Sequence, residues 1–481
     1  MFKLILMNYR NYSKIFCVKS AVILTFILLL VNSKNGYAQS QTFSLKQAID
    51  SAIKNYPQLK AKMLQVESAK MSLADAKNQR LPSLKLSDQI DIGTANSVEG
   101  SYFGMGLVPS TSGSIFSSNN PDKFAGTVGV GTLEYELYNF GLNKARLESA
   151  KSLININTTD YNKESYLLQY RMATLYFDLL RYKLLTDIQQ KNMERYRVLY
   201  TYIKAYTGSG IKAGVDSSVA NAELSKAKIQ YIQTNAIYNK LKSEFLYFTA
   251  AKNPNFEVDT NLFHLSDATI NSIESNVIAD SVNANNPLLA YYKSRWDYAI
   301  AQEKLVRKSY LPKLNLLGAA WTRGSSISSK EVYGDLNSGL NYSRYNYMGG
   351  LSLTYNIMDL VHQKDKASII DYQAQAFHEE MNGQKTLLET QLQQADIDIQ
   401  AALDRVKEIP IQLKAAQDAF SQKTAQYDAG LVNIVELTNV SYLLYSAESD
   451  QVSAKTDLLN TMLQKAVTNN SLTIFLNQFS Q

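Results

Sequence analysis

Hydrophobic and polar positions change their period several times along this chain, and the changes mark its elements. A helical pattern from Ser44 to Arg80 is interrupted once, at Pro57. From Ser83 to Gly93 the period becomes two, with Leu84, Leu86, Ile90 and Ile92 on one face and Ser83, Lys85, Ser87, Gln89 and Asp91 on the other. Strict alternation predicts a strand with one apolar and one polar side. The stretch from Gly93 to Gly126 has no period and reads as a long loop. A second strand is expected over 127–138; its alternation changes phase between Val130 and Leu133, which predicts a bulge there. After Gly141 neither Gly nor Pro occurs until Gly208, and Leu168, Met172, Leu175, Leu179 and Tyr182 recur at spacings of four and three. This predicts a helix over 142–206 of roughly 100 Å. A Gly-containing turn and a second helix over 217–252 follow.

The whole order then recurs. Pro57 and Pro82 are matched by Pro287 and Pro312, and Leu81-Pro82-Ser83-Leu84 by Leu311-Pro312-Lys313-Leu314. Strands are expected over 313–323 and 345–357, separated by a polar loop from Gly324 to Arg344. Helices are expected over 360–428 and 431–467, the first carrying Gly383 and Pro410 and the second a seam of Val440, Leu444, Ala447, Ala454 and Leu458. The pattern is that of a tandem repeat. Residues 39–252 form the first copy and 285–470 the second. Residues 253–284 read as a linker beside the helices, and 471–481 as a C-terminal tail.

The N-terminus changes the picture. Lys3, Arg10, Lys14 and Lys19 precede the apolar run from Ala21 to Val31, and Gly36-Tyr37-Ala38 follows. Residues 1–38 are therefore expected to be a signal peptide cut after Ala38. The only cysteine, Cys17, would leave with it. Removing its five basic residues from the total of 49 leaves 44 against 43 acidic, so the formal charge of +6 largely disappears. A near-neutral chain has no basic field to neutralise phosphates, and no nucleic-acid partner is expected.

Enzyme chemistry finds no support. Gly208-Ser209-Gly210-Ile211-Lys212 lacks the spacing of a phosphate loop and follows a helix rather than a strand. Gly126, Gly129 and Gly131 fall within a strand. His264, His362 and His378 form no ligand pair. No catalytic, cofactor or metal residue is expected.

Four two-faced strands match the length that crosses a bilayer obliquely. Four cannot close, and an open edge in lipid leaves backbone groups unsatisfied. Three copies would supply twelve strands and surround a pore with their helices. A secreted elongated coiled-coil adhesin or a periplasmic scaffold is the competing reading.

The run Phe43-Ser44-Leu45-Lys46-Gln47-Ala48-Ile49 through Asn55-Tyr56-Pro57, the two Leu-Pro-x-Leu strings, the duplication and the two Gly turns together resemble the TolC-like outer-membrane efflux family. The resemblance implies a mainly α fold with a membrane β-barrel: a homotrimer with four transmembrane strands per protomer and long antiparallel helices forming an α-barrel. It implies a passive exit duct in the outer-membrane lipid of a Gram-negative cell, docked on a periplasmic adaptor and an inner-membrane pump. It places the turns around Gly210 and Gly430 at the periplasmic tip, where the duct closes, with Asp216, Tyr427, Glu436 and Asn439 as gate or pore candidates. An acid stands six residues after each of those glycines. Both acids also answer a simpler role, since a carboxylate in a helix's first turn is favoured by the dipole. Val432 stands where multidrug members of the family often carry Arg, and Asn439 where they can carry a second acid. A charge-latched closed state is therefore not expected, and cation selectivity at the tip should be weak. Glu448 is expected to be an outward acid, suited as a control.

Overall fold

The computed structural model describes residues 41–97, 117–210, 213–251, 254–264, 282–283, 285–328 and 331–479. The expected signal peptide, the middle of the Gly93–Gly126 loop, Ile211 and Lys212, and most of 253–284 lie outside the described residues.

Prolines punctuate both halves alike. Pro57 opens α2 (Pro57–Asn78) and Pro287 opens α5 (Pro287–Ser309), each in the first turn, where a missing N–H costs nothing. Pro82 and Pro312 stand one residue before β2 (Ser83–Gly93) and β5 (Lys313–Ser325), barring helical backbone from the residue that precedes them. The remaining strands of that sheet are β3 (Phe124–Tyr138) and β6 (Arg344–Thr354). β3 begins three residues before the expected Thr127, β5 ends two later than expected, and β6 stops at Thr354 rather than Ile357.

The long helices are α3 (Leu142–Gly208) and α6 (Asp359–Asp428), of 67 and 70 residues. Each is paired twice. α2 runs along the first half of α3, where Lys62 pairs with Asp160, and α4 (Gly214–Thr249) returns along the second half, where Tyr196 packs with Leu224 and Ala227, and reaches the middle of α3, where Arg171 meets Glu244 at 3.0 Å. α5 likewise lines the first half of α6 through Arg295 and Glu380, and α7 (Ile434–Thr468) the second half through Gln412 and Asp450. α7 starts at Ile434 and not at residue 431, because Asn433 caps it: its side chain accepts from the Glu436 amide. Pro410 lies inside α6 and the helix continues through it.

Where the halves meet, a core gathers Tyr176, Phe177, Phe245, Phe256, Met462 and Phe475, none more than 1 % exposed. It is closed by α1 (Leu45–Asn55), with a Ser44–Gln47 capping box, and by a parallel pair of β1 (Gln41–Phe43) with β4 (Phe256–Val258). β4 and a 3-10 turn at Thr260–His264 thus give the expected linker a structured start. The expected tail contains a short helix, α8 (Leu472–Asn477), whose Phe475 stacks edge-on against Phe177.

The sheet is antiparallel in the order β2-β3-β5-β6, leaving β2 and β6 as edges. Residues directly opposite share a face. Register therefore puts Leu84, Leu86, Ile90 and Ile92 with Leu133, Leu351, Leu353, Tyr345 and Tyr347. All nine are exposed, Leu86 by 81 % and Tyr347 by 88 %. The bulge expected between Val130 and Leu133 is absent, and pairing there is unbroken. The one irregularity comes later, between Glu136 and Tyr138 against β5. The phase change has another cause. Gly129 and Gly131 occupy the apolar face because Tyr342 and Leu86 lie over them, 3.1 and 3.2 Å from where a Cβ would stand. Asp88 also lies on that face, where its Oδ1 accepts from the Tyr342 hydroxyl at 2.9 Å. Tyr342 belongs to a loop that folds back on the outer end of the sheet, so close that a Cβ on Gly339 would fall 2.0 Å from the Ala125 carbonyl oxygen.

The helix-turn tip as candidate functional site

Both long helices end in the same device. Gly210 and Gly430 have φ of +76° and +74°, the left-handed region that glycine enters freely. After α6 the Gly430 amide donates to the Tyr427 carbonyl at 3.1 Å and the Leu431 amide to the Gln426 carbonyl at 2.9 Å, the two bonds of a Schellman motif. After α3 the Gly210 amide donates to the Thr207 carbonyl at 3.1 Å. Among the described residues no atom beyond the adjoining ones lies within 4 Å of a Cβ at either glycine, so conformation and not crowding selects them.

The two hairpins lean on each other through Ile203 and Ala220 on one side and Tyr427, Ile434 and Leu437 on the other. Tyr427 is 2 % exposed, sunk between the hairpins. Asp216 sits half-buried in the first turn of α4, and Asn439 is exposed on α7. Glu436 is held within its own hairpin: Lys423 Nζ lies 2.8 Å from its Oε2, with both side chains partly exposed. The described tip thus brings Tyr427 and Glu436 onto one hairpin, while Asp216 starts the other. Lys423 was not among the residues expected here. Its signal was available, since it stands seven residues before Gly430 and Glu436 six after, facing positions in an antiparallel hairpin.

Above the tip, α3 and α7 are joined by polar pairs that nothing in the sequence announces, because their members lie more than 250 residues apart. Arg195 binds Glu448 with both terminal nitrogens, at 3.2 and 2.9 Å. Glu448 is therefore not an outward acid but half of an ion pair between hairpins. Arg181 reaches Asp457 at 3.0 Å, where Arg405 of α6, only 52 residues away in sequence, joins it at 3.1 Å. A cavity of about 630 Å³ opens below them between α3 and the α6–α7 hairpin, walled by Arg195, Tyr196, Tyr202, Phe420, Tyr427 and Leu437. Burial pushes the Tyr196 phenol up to about 12. Tyr202 is also pushed up to about 12, by its hydrogen bond with Tyr206.

No group of metal-ligating side chains occurs among the described residues. No described helix is long and apolar enough to cross a membrane.

A family profile described as Outer membrane efflux protein matches residues 48–240 and 278–464. No curated protein sequence matches the chain. Among solved structures, the Campylobacter jejuni CmeC outer membrane channel is similar with a TM-score of 0.70 at 13% identity, covering 93% of this chain and 94% of that one. CusC, solved in work on folding and transmembrane channel formation, also gives 0.70 at 13% identity, over 90% and 95%. The open state of the Neisseria gonorrhoeae MtrE outer membrane channel gives 0.64 at 15% identity, over 89% of each chain. With its family profile spanning both halves and its fold shared along nearly its full length, the chain belongs to the outer membrane efflux protein family: non-enzymatic outer-membrane ducts with a periplasmic helical extension.

Proposed function

We propose that three copies of this chain close a twelve-stranded barrel in the outer membrane and continue it as one helical tunnel to the Gly210 and Gly430 turns. The carrying observation is the four-stranded sheet with two free edges and one exposed apolar face. In lipid each unpaired backbone group costs several kcal/mol, so β6 of one copy must take β2 of the next. The repeat fits this role, because two similar halves per chain give a ring of six similar hairpins. The family profile's two separate matches, one in each half, support that duplication.

The tunnel's lower end meets a periplasmic adaptor and, through it, an inner-membrane pump; these are the partners that a duct without catalytic residues requires. At the tip, Glu436 and Asn439 line the narrowest passage and Asp216 flanks it. Tyr427 acts from its buried position, as the pivot on which the second hairpin rests against Ile203. Val432 provides no positive charge, so closure is apolar and steric rather than latched.

Outer-membrane fractionation followed by an unheated gel tests the assembly. A heat-sensitive trimer in that fraction is the expected result, and a monomer in the soluble periplasmic fraction would refute it. Orientation is tested with epitopes. One inserted after Glu331, in the exposed loop, should be reached by antibody on intact cells, while one in the Gly210 turn should not.

A further inference from the structure

The polar face of the sheet carries an unusual pair at its outer end. Arg323 on β5 and Arg344 on β6 are direct cross-strand partners. Opposed side chains stand about 5 Å apart at Cβ, and like charges so placed oppose pairing. Neither guanidinium joins an ion pair among the described residues, and both are exposed. The acids of the same sheet are engaged elsewhere. Asp91 accepts from the Gln89 amide at 2.7 Å, and Asp88 points out through the apolar face to Tyr342. The row that holds the pair continues as Gln89 and Val128, both uncharged. One step along β5, Trp321 shares the face of Arg323, about 7 Å away. Asn346 stands opposite it.

With the apolar face turned to lipid, this face lines the lumen. We infer that Arg323, Arg344 and Trp321, repeated in three copies, form a girdle near the outer mouth of the duct that binds amphiphilic organic anions, carboxylates or sulfonates carried on an apolar ring. The inference rests on the trimeric barrel reading above. Guanidinium suits this ligand class because it is planar, weakly hydrated, paired through two N–H groups with an oxyanion and able to stack on rings. The indole supplies the apolar contact that a hydrated inorganic anion would not use. Repulsion between six arginines is relieved when an anion sits among them, so occupancy is favoured at the site where the empty sheet is least content. In the closed ring Arg344 lies beside β2 of the next copy, whose Asp91 can neutralise one arginine of each pair. Arg323 stays on an inner strand, two strands from that edge, and keeps its charge.

The test uses the full-length trimer in a planar bilayer, with naphthalene-1-sulfonate added on the loop side and inorganic sulfate as the comparison anion. Wild type should be blocked by the sulfonate at lower concentration than by sulfate. Arg323→Gln with Arg344→Gln should weaken both blocks at least about tenfold. Trp321→Ala should weaken the sulfonate block alone, and Asp91→Asn should strengthen both. Arg323→Lys with Arg344→Lys keeps the charge and serves where the glutamine pair fails to assemble; it should retain sulfate block and lose part of the sulfonate preference. Equal block of wild type and the glutamine variant, or an equal preference for sulfonate over sulfate in wild type and the lysine variant, overturns the girdle. A chain that forms no heat-sensitive trimer and no conductance overturns the barrel itself, a failure told apart on the unheated gel before any blocker is added.

Discussion

The ion pair between Lys423 and Glu436 offers the sharpest test of the tip. Its members are 2.8 Å apart, with 33 % and 44 % of their side chains exposed. Such a pair contributes only about 0.2–1 kcal/mol, and the first-turn carboxylate adds about 0.3–1 kcal/mol through the helix dipole. Losing either partner should therefore cost the hairpin at most about 2 kcal/mol per chain, leaving the trimer intact. The electrostatic consequence is larger. If Glu436 lines the passage, three carboxylates are balanced by three ammonium groups, and Lys423→Gln turns a neutral ring into one of charge about −3. Surface potentials of several kT follow from uncompensated charge in a constriction, so the cation-to-anion permeability ratio should rise roughly two- to fivefold. Glu436→Gln should shift the ratio the opposite way, toward anions, and the double variant should return close to wild type. Reversal potentials across a KCl gradient measure all three, and high salt should compress the differences. An unchanged ratio in Lys423→Gln, with the trimer intact on an unheated gel, would show that Glu436 lies off the conduction path and serves only as a first-turn carboxylate.

Three further outcomes are expected. Leu86→Arg places a charge on the exposed apolar face at about 2–4 kcal/mol per chain and should reduce trimer yield sharply, whereas Lys85→Arg on the polar face should not; equal yields would invert the sheet. Gly430→Ala forces a left-handed alanine at about 1–2 kcal/mol and should lower the melting temperature. Gly383→Ala, inside α6 with open space around a Cβ, should raise it by removing a flexible residue worth about 0.5–1 kcal/mol; a shared direction would mean that turn conformation is not what selects Gly430. Tyr196 and Tyr238 titrate up to about 12 because they are buried, against about 10 in an unfolded chain. Above pH 10 the unfolded state then releases protons that the folded state retains, so stability present below pH 10 is lost as pH rises toward 12. Melting temperature followed across that window should fall less steeply in Tyr196→Phe with Tyr238→Phe than in wild type.

The periods along the chain were enough to find every long helix and all four strands of the sheet, because each element buries or exposes one face of a regular repeat and writes that repeat into its residues. The strand from Ser83 to Gly93 was legible to the residue, bounded by Pro82 and Gly93. The phase change in β3 was misread for a physical reason. Glycines leave the apolar face at Gly129 and Gly131 to admit Tyr342 and Leu86, and a vacancy filled from another segment looks in sequence like a slipped register. Both Gly turns were readable as well, since a helix that ends in a left-handed residue asks for glycine locally. Partners were not. Tyr427 in the sequence is an aromatic residue beside a turn; only packing against Ile203 and Ala220, more than 200 residues away, buries it. Glu448 was expected to be an outward acid, and α3 brings Arg195 to it. Arg323 and Arg344 are unremarkable 21 residues apart, and become opposed charges only once the register of β5 against β6 is set. Local periodicity is decided by each segment's own burial and is therefore carried by the sequence. Which charge meets which depends on how rigid elements some 100 Å long are laid side by side, and that is decided only when they pack.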